Sequence, residues 1–174
     1  MNILFTDVDG VLNFDNCKAV APSGCLGVSD SKVRILRRIV EETGAKVVLS
    51  SDWRLCRETD QDFRYLKHKL MYKGRISICG VTPDVGGWYR KQEIVEWIES
   101  HPDVDYWAVL DDTVFDGFLD EDFAPHLVLT DPALGLTNED ADKAIKILRG
   151  EQHGNICSCG YPNNYDDTIA SGTW

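Results

Sequence analysis

Short, continuous apolar runs alternate with longer stretches of helical period along this chain. Residues 3–5, 46–50, 76–81, 106–110 and 126–130 are runs rich in Ile, Val, Leu and aromatic residues. Such runs, bounded by turn residues, read as buried strands. Between them the apolar positions recur every three or four residues. Val33, Ile35, Leu36, Ile39 and Val40 give a helix one face, with Ser29 or Asp30 as its cap and Gly44 as its stop. Residues 59–73 continue helically, with Phe63, Leu66, Leu70 and Met71 on one face. Residues 88–100 form an amphipathic helix through Ile94, Val95, Trp97 and Ile98. A last helix is capped by Thr137, buries Ala141, Ala144, Ile145 and Leu148, and stops at Gly150. Residues 13–29 hold Pro22, Gly24 and Gly27 without periodicity and read as a loop or small flap.

Strands that are apolar throughout, alternating with helices, predict an α/β fold with a parallel sheet covered on both faces. Residues 1–150 make one domain, and the polar stretch 151–174 is a tail laid on the surface or partly disordered. No run reaches membrane-spanning length, and Met1 leads into a strand rather than a basic leader, so a cytoplasmic protein with no membrane partner is expected. The net charge of −11 argues against a broad basic surface for nucleic acid, though not against a local groove. The six cysteines, at 17, 25, 56, 79, 157 and 159, form no paired CxxC modules. Free thiols are the simpler reading than zinc. Cys157 and Cys159 have no assigned place.

Ligands of such sheets bind at the carboxyl ends of the strands. The first run ends in Asp7-Val8-Asp9-Gly10, the second in Ser50-Ser51-Asp52, and the fourth in Asp111-Asp112. Two carboxylates about 4 Å apart repel by roughly 4 kcal/mol at an effective dielectric near 20. Four at one sheet edge call for protonation or a divalent cation, and oxygen-rich sites suit magnesium. Asp7 and Asp9 could alternatively serve as plain turn formers. Arg90 and Lys91 fall in the first turn of a helix, where positive charge is disfavoured. Either they are solvated and offset by Glu93, or one faces an anion or the acidic edge. Helix phase sets Arg90 on the stripe of Ile94 and Ile98, and Lys91 beside it with Val95. Ser50 offers a hydroxyl to a phosphoryl oxygen; Ser51 suits a cap for the segment beginning at Trp53.

Together these motifs resemble the haloacid dehalogenase (HAD) superfamily of phosphohydrolases. Its DxD motif stands at Asp7-Val8-Asp9, its strand-ending Ser or Thr at Ser50, its Lys or Arg at Arg90 or Lys91, and its acidic pair at Asp111-Asp112, with Asp116 following. All four occur in the family's order within residues 1–149. A closer resemblance is to the HAD domain of Swiss Army Knife RNA repair proteins. It is carried by DVDGVLN, Ser50-Ser51-Asp52-Trp53-Arg54, Arg90 with Glu93-Ile94, and Val109 to Asp112. Thr130-Asp131-Pro132 and Gly135-Leu136-Thr137 also match, while Lys91 replaces the usual Gly after the cation.

The resemblance implies a three-layer, Rossmann-like HAD fold with a central parallel sheet of about five strands. It implies a magnesium-dependent phosphatase in which Asp7 attacks phosphorus and Asp9 is the general acid and then the general base. Magnesium would be held by Asp7, Asp9 through its carbonyl, and Asp111 or Asp112. Ser50 and Arg90 or Lys91 would bind the phosphoryl oxygens. Neither 13–29 nor 54–86 is long enough for a large cap domain, so the site would be open. An open site admits a nucleic-acid end, whereas the acidic balance favours a phosphorylated small molecule or nucleotide. The other class of reading is a catalytically silent HAD-fold binding or regulatory module, against which the intact Asp7 and Asp9 count.

Overall fold

The computed structural model describes residues 1–55, 60–86 and 89–151. Cys56, Trp88 as the expected start of a helix, the Cys157 and Cys159 pair and the tail beyond Glu151 lie outside the described residues. The strands are β1 (Asn2–Thr6), β2 (Lys46–Leu49), β3 (Ile78–Val81), β4 (Tyr106–Asp111) and β5 (Leu127–Leu129). The helices are α1 (Asp30–Thr43), α2 (Gln61–Lys69), α3 (Arg90–Glu99) and α4 (Asn138–Leu148). The strands make one sheet in the order β3-β2-β1-β4-β5, and each neighbouring pair is parallel. The chain thus has the α/β, Rossmann-like architecture that the alternating runs predict.

β1 lies at the centre, and Ile3, Leu4 and Phe5 have no exposed surface. Successive strand residues face opposite sides, so an apolar run without polar interruption is what a doubly covered strand needs. Leu4, Val47, Leu49, Ala108 and Leu110 face α1, α2 and α4 through Val33, Leu36, Leu66, Ala144 and Leu148. Ile3, Phe5, Val48 and Val109 face the other way, onto Ile94 and Trp97 of α3 and onto Phe118 and Phe123. Phe5 meets Trp97 edge-on, with ring centroids 5.4 Å apart.

Three boundaries differ from the sequence pattern. β3 begins at Ile78, although Ile76 is buried before it. β5 is only three residues long, because His126 belongs to a short turn with Ala124 and Pro125. The 59–73 helix changes to a wider π-turn at Leu70–Gly74, and Met71 is 47% exposed rather than on the inner face. Phe63, Leu66 and Leu70 already fill that face, and Met71 lies about 100° away from Leu70. Gly74 closes the turn against α1, where a side chain would meet Val33 at 2.8 Å.

Candidate active site

The ladder continues one residue past the strands and gathers the polar groups at one level. The Asp7 N–H donates to the Leu110 carbonyl at 2.9 Å, and the Ser50 N–H donates to the Thr6 carbonyl at 3.1 Å. The Thr82 and Thr130 N–H groups extend β3 and β5 in the same way, donating to Leu49 and Asp111. After Asp7 the chain curls into a helical turn, with Leu12 and Asn13 donating to the Val8 carbonyl. Gly10 takes φ +64° there, and the Thr130 hydroxyl holds its carbonyl at 2.9 Å. A Cβ on Gly10 would stand 2.2 Å from Asp112 Oδ2, so glycine is what lets the loop and Asp112 come together.

Asp7, Asp111 and Asp112 each offer a carboxylate oxygen within 4.8 Å of the others. Asp111 has no exposed surface, and its Oδ2 is buried without a hydrogen-bond partner. Burial first, and then the neighbouring Asp7 charge, push the Asp111 carboxyl up to about 8. Burial also raises Asp7, opposed by a Ser51 hydrogen bond and the Arg90 charge, and burial raises Asp112. Three acids made reluctant to ionise by burial and proximity can hold a metal cation, whose charge would reverse that effect. The donor set and the orphaned Asp111 oxygen fit such a group.

Arg90 is the first residue of α3 and is only 6% exposed. Its Nη2 donates to Asp52 Oδ1 at 3.1 Å, and Nε lies 3.7 Å from Glu93 Oε2. Its Nη1 is buried and has no hydrogen-bond partner. That nitrogen faces Asp7 Oδ2 at 3.8 Å and Asp111 Oδ2 at 3.7 Å, beyond hydrogen-bond length. The acids around it offset its place at a helix N-terminus. Lys91 turns the other way, and Nζ pairs with Asp120 at 2.8 Å and Asp122 at 2.9 Å. The structure therefore brings Arg90 to the cluster and leaves Lys91 off it. Asp116 is exposed, beside Lys91 and Gly117 in a separate cavity of about 340 Å³.

Ser50 is fully buried, and its Oγ is another buried polar atom without a hydrogen-bond partner. Ser51 accepts the Trp53 N–H at 3.4 Å, the capping contact its position suggests, and also hydrogen-bonds Asp7. Asp9 is exposed and lies outside the three-acid cluster, and its side chain is held from two sides. Asn13 Nδ2 donates to Oδ1 at 2.7 Å, and Trp53 Nε1 donates to Oδ2 at 2.9 Å. Arg54, with its side chain buried, bridges Glu93 Oε1 at 2.5 Å and the Ser50 carbonyl at 3.2 Å. Reading single residues does not reveal the Asn13, Ser51, Trp53, Arg54 and Glu93 contacts. Their signal was the unbroken runs DVDGVLN and SSDWR, in which only the acids and Ser50 have an obvious chemical use, and, for Glu93, its place three residues after Arg90.

A cavity of about 260 Å³ opens beside Asp9, lined by Cys25, Asp52, Trp53 and Asp62. The 13–29 segment forms its rim as a small flap, closed by one antiparallel bridge between Val20 and Leu26. Among the described residues, 61–81 hold α2, the π-turn and β3 of the sheet rather than a separate cap. No helix among them is long and apolar enough to cross a membrane.

The model of one protein family, the HAD domain in Swiss Army Knife RNA repair proteins, matches residues 3–141. No curated protein and no solved structure matches the chain.

Proposed function

Since the chain belongs to the family of HAD domains found in Swiss Army Knife RNA repair proteins, we propose that it is a magnesium-dependent phosphatase acting on phosphate monoesters. The observation that carries this reading is that three buried atoms at the strand ends have no hydrogen-bond partner: Ser50 Oγ, and Arg90 Nη1 and Asp111 Oδ2, which lie 3.7 Å apart. Each such orphan costs about 1–3 kcal/mol. Two donors and one acid, beside the raised carboxyl of Asp7, are the complement of a phosphoryl group and a cation.

In this reading Asp7 attacks phosphorus through a carboxylate oxygen. The bond to the leaving oxygen breaks, and Asp9 gives that oxygen its proton. Asp9, now a carboxylate, takes a proton from water as the water oxygen attacks phosphorus. The bond to Asp7 breaks, and inorganic phosphate leaves. Ser50 and Arg90 donate to the equatorial phosphoryl oxygens, where negative charge is spread in the transition state. Asp7, Asp111 and Asp112, with the Asp9 carbonyl, would hold magnesium, which supplies charge neutralisation when bound.

The substrate is a phosphorylated small molecule of modest size. Its leaving group would occupy the cavity lined by Asp9, Asp52 and Asp62. Carboxylates there repel a chain of further phosphates, and the net charge of −11 acts the same way at longer range. The open rim and the family's association with RNA repair support a second substrate, a phosphorylated nucleic-acid end. The test is release of p-nitrophenol from p-nitrophenyl phosphate, with and without magnesium. Wild type turns over only with the metal, and Asp7→Asn is inactive but folded. No turnover by the wild type in either condition would refute the phosphatase.

A further inference from the structure

We infer that Trp53 is a positioning residue that, together with Asn13, fixes the Asp9 carboxyl in the orientation needed for proton transfer to the leaving group. The inference rests on the phosphatase reading and on the general acid role it gives Asp9. Asp9 is exposed, unlike Asp7 and Asp111, and an exposed side chain samples several rotamers unless something holds it. Here both oxygens are held. The Asn13 amide donates to one at 2.7 Å, and the Trp53 indole N–H donates to the other at 2.9 Å.

Both donors are themselves fixed. Asn13 Oδ1 accepts the Gly10 N–H at 2.9 Å, so its amide cannot turn over without losing that bond. Trp53 stands on the short 3₁₀ turn Asp52–Leu55 that follows β2. Its ring is partly buried against the main core. The turn is anchored from within, because Arg54 donates to the Ser50 carbonyl and pairs with Glu93 of α3. The turn and the residue before it reach both acids of the DxD motif: Ser51 hydrogen-bonds Asp7, and Trp53 hydrogen-bonds Asp9. A carboxyl group has about four lone-pair sites. Two donors therefore leave sites for the proton that moves to the leaving oxygen.

A displacement of about 1 Å in a reacting group can cost a factor of about a hundred. General acid catalysis matters most where the departing oxygen is strongly basic and least where it is a stable aryloxide. The experiment measures kcat/KM of wild type and Trp53→Phe over a series of monoesters, from p-nitrophenyl phosphate to simple alkyl phosphates. This parameter covers the steps through departure of the leaving group. Phe keeps the ring and removes the N–H. The expected loss is about threefold on the aryl ester and about ten- to hundredfold on the alkyl esters. Asn13→Asp keeps the oxygen that serves Gly10 and removes the amide donor. It is read on the same series and decides the matter should Trp53→Phe not fold. An equal loss across the series overturns the inference and leaves Trp53 a packing residue. A rise in KM alone overturns it in favour of a stacking wall. If the wild type hydrolyses none of the esters, both the phosphatase reading and this inference fall; a flat profile in an active protein removes only the latter.

Discussion

At the scale of the residue, the two adjacent cations divide cleanly. Arg90 faces the acids with one nitrogen that makes no hydrogen bond, while Lys91 is held by Asp120 and Asp122. Arg90→Ala should lower phosphatase turnover by about a hundred- to a thousandfold, the range seen when one preorganised donor is lost. Lys91→Ala should change turnover less than about threefold, since Lys91 points away from the cluster and pairs with the solvent-exposed Asp120 and Asp122. Steady-state kinetics on p-nitrophenyl phosphate separates the two, and a dead Lys91 variant beside an active Arg90 variant exchanges their roles. Gly10→Ala tests the loop in the same way. Its backbone conformation penalises a Cβ by about 1–2 kcal/mol, and the Cβ collides with Asp112 Oδ2. The variant should melt earlier and respond less to magnesium than wild type. An unchanged magnesium response would show that Asp112 is not a ligand. The sequence marked out the acids that the fold gathers, because carboxylates at strand ends are anomalous on their own. It did not tell which atoms they touch. Helix phase pointed to Arg90, but Trp53 and Asn13 meet Asp9 only because one turn and one loop converge in space.

At the scale of the element, the central strands were legible because they had to be apolar on both faces, and the helices because their apolar positions recur on one face. What was not legible was decided by neighbours. Met71 has the right character for the inner face but finds it filled. His126 extends an apolar run but stacks on Trp107, with ring centroids 3.7 Å apart, from a turn instead of a strand. The cap of α4 was readable to the residue: Thr137 accepts the Asp140 N–H, and Asp140 accepts the Thr137 N–H, a reciprocal capping box. Thr137→Ala should therefore cost about 1 kcal/mol of stability and leave phosphatase kinetics alone, as denaturant unfolding and an activity assay would show. A loss of activity at unchanged stability would mean that this end of α4 reaches the site.

At the scale of the whole molecule, the acidic sheet edge links stability to pH and to metal. Asp111, Asp7 and Asp112 all have raised folded-state carboxyls. In metal-free protein the folded state therefore holds protons that the unfolded chain releases near 3.8. Their contribution to stability is complete below that value and is lost as pH rises toward about 8 for Asp111. Asp30, lowered by its hydrogen bonds to Lys69 and Lys73, acts in the opposite sense below its ordinary value, but weakly because its side chain is 34% exposed. Magnesium needs the ionised acids, so its stabilisation should grow as pH rises. Bound at a hundred times its dissociation constant, it adds about 2.7 kcal/mol, or roughly 5–10 °C in a domain of this size. Thermal melts with chelator and with magnesium at several pH values check this; a metal shift that shrinks with rising pH contradicts the shared site. The most direct measurement asks where the phosphoryl group goes. In the proposed mechanism Asp9 is the base that activates water, so in Asp9→Asn a phosphoryl group taken from an activated aryl ester should persist on the protein. After rapid acid quench and peptide mapping by mass spectrometry, the peptide containing Asp7 should gain the mass of one phosphoryl group. The gain should need magnesium and should vanish in the Asp7→Asn, Asp9→Asn double variant. Phosphoryl mass on a different peptide, or wild-type turnover with none trapped on Asp7, contradicts the account.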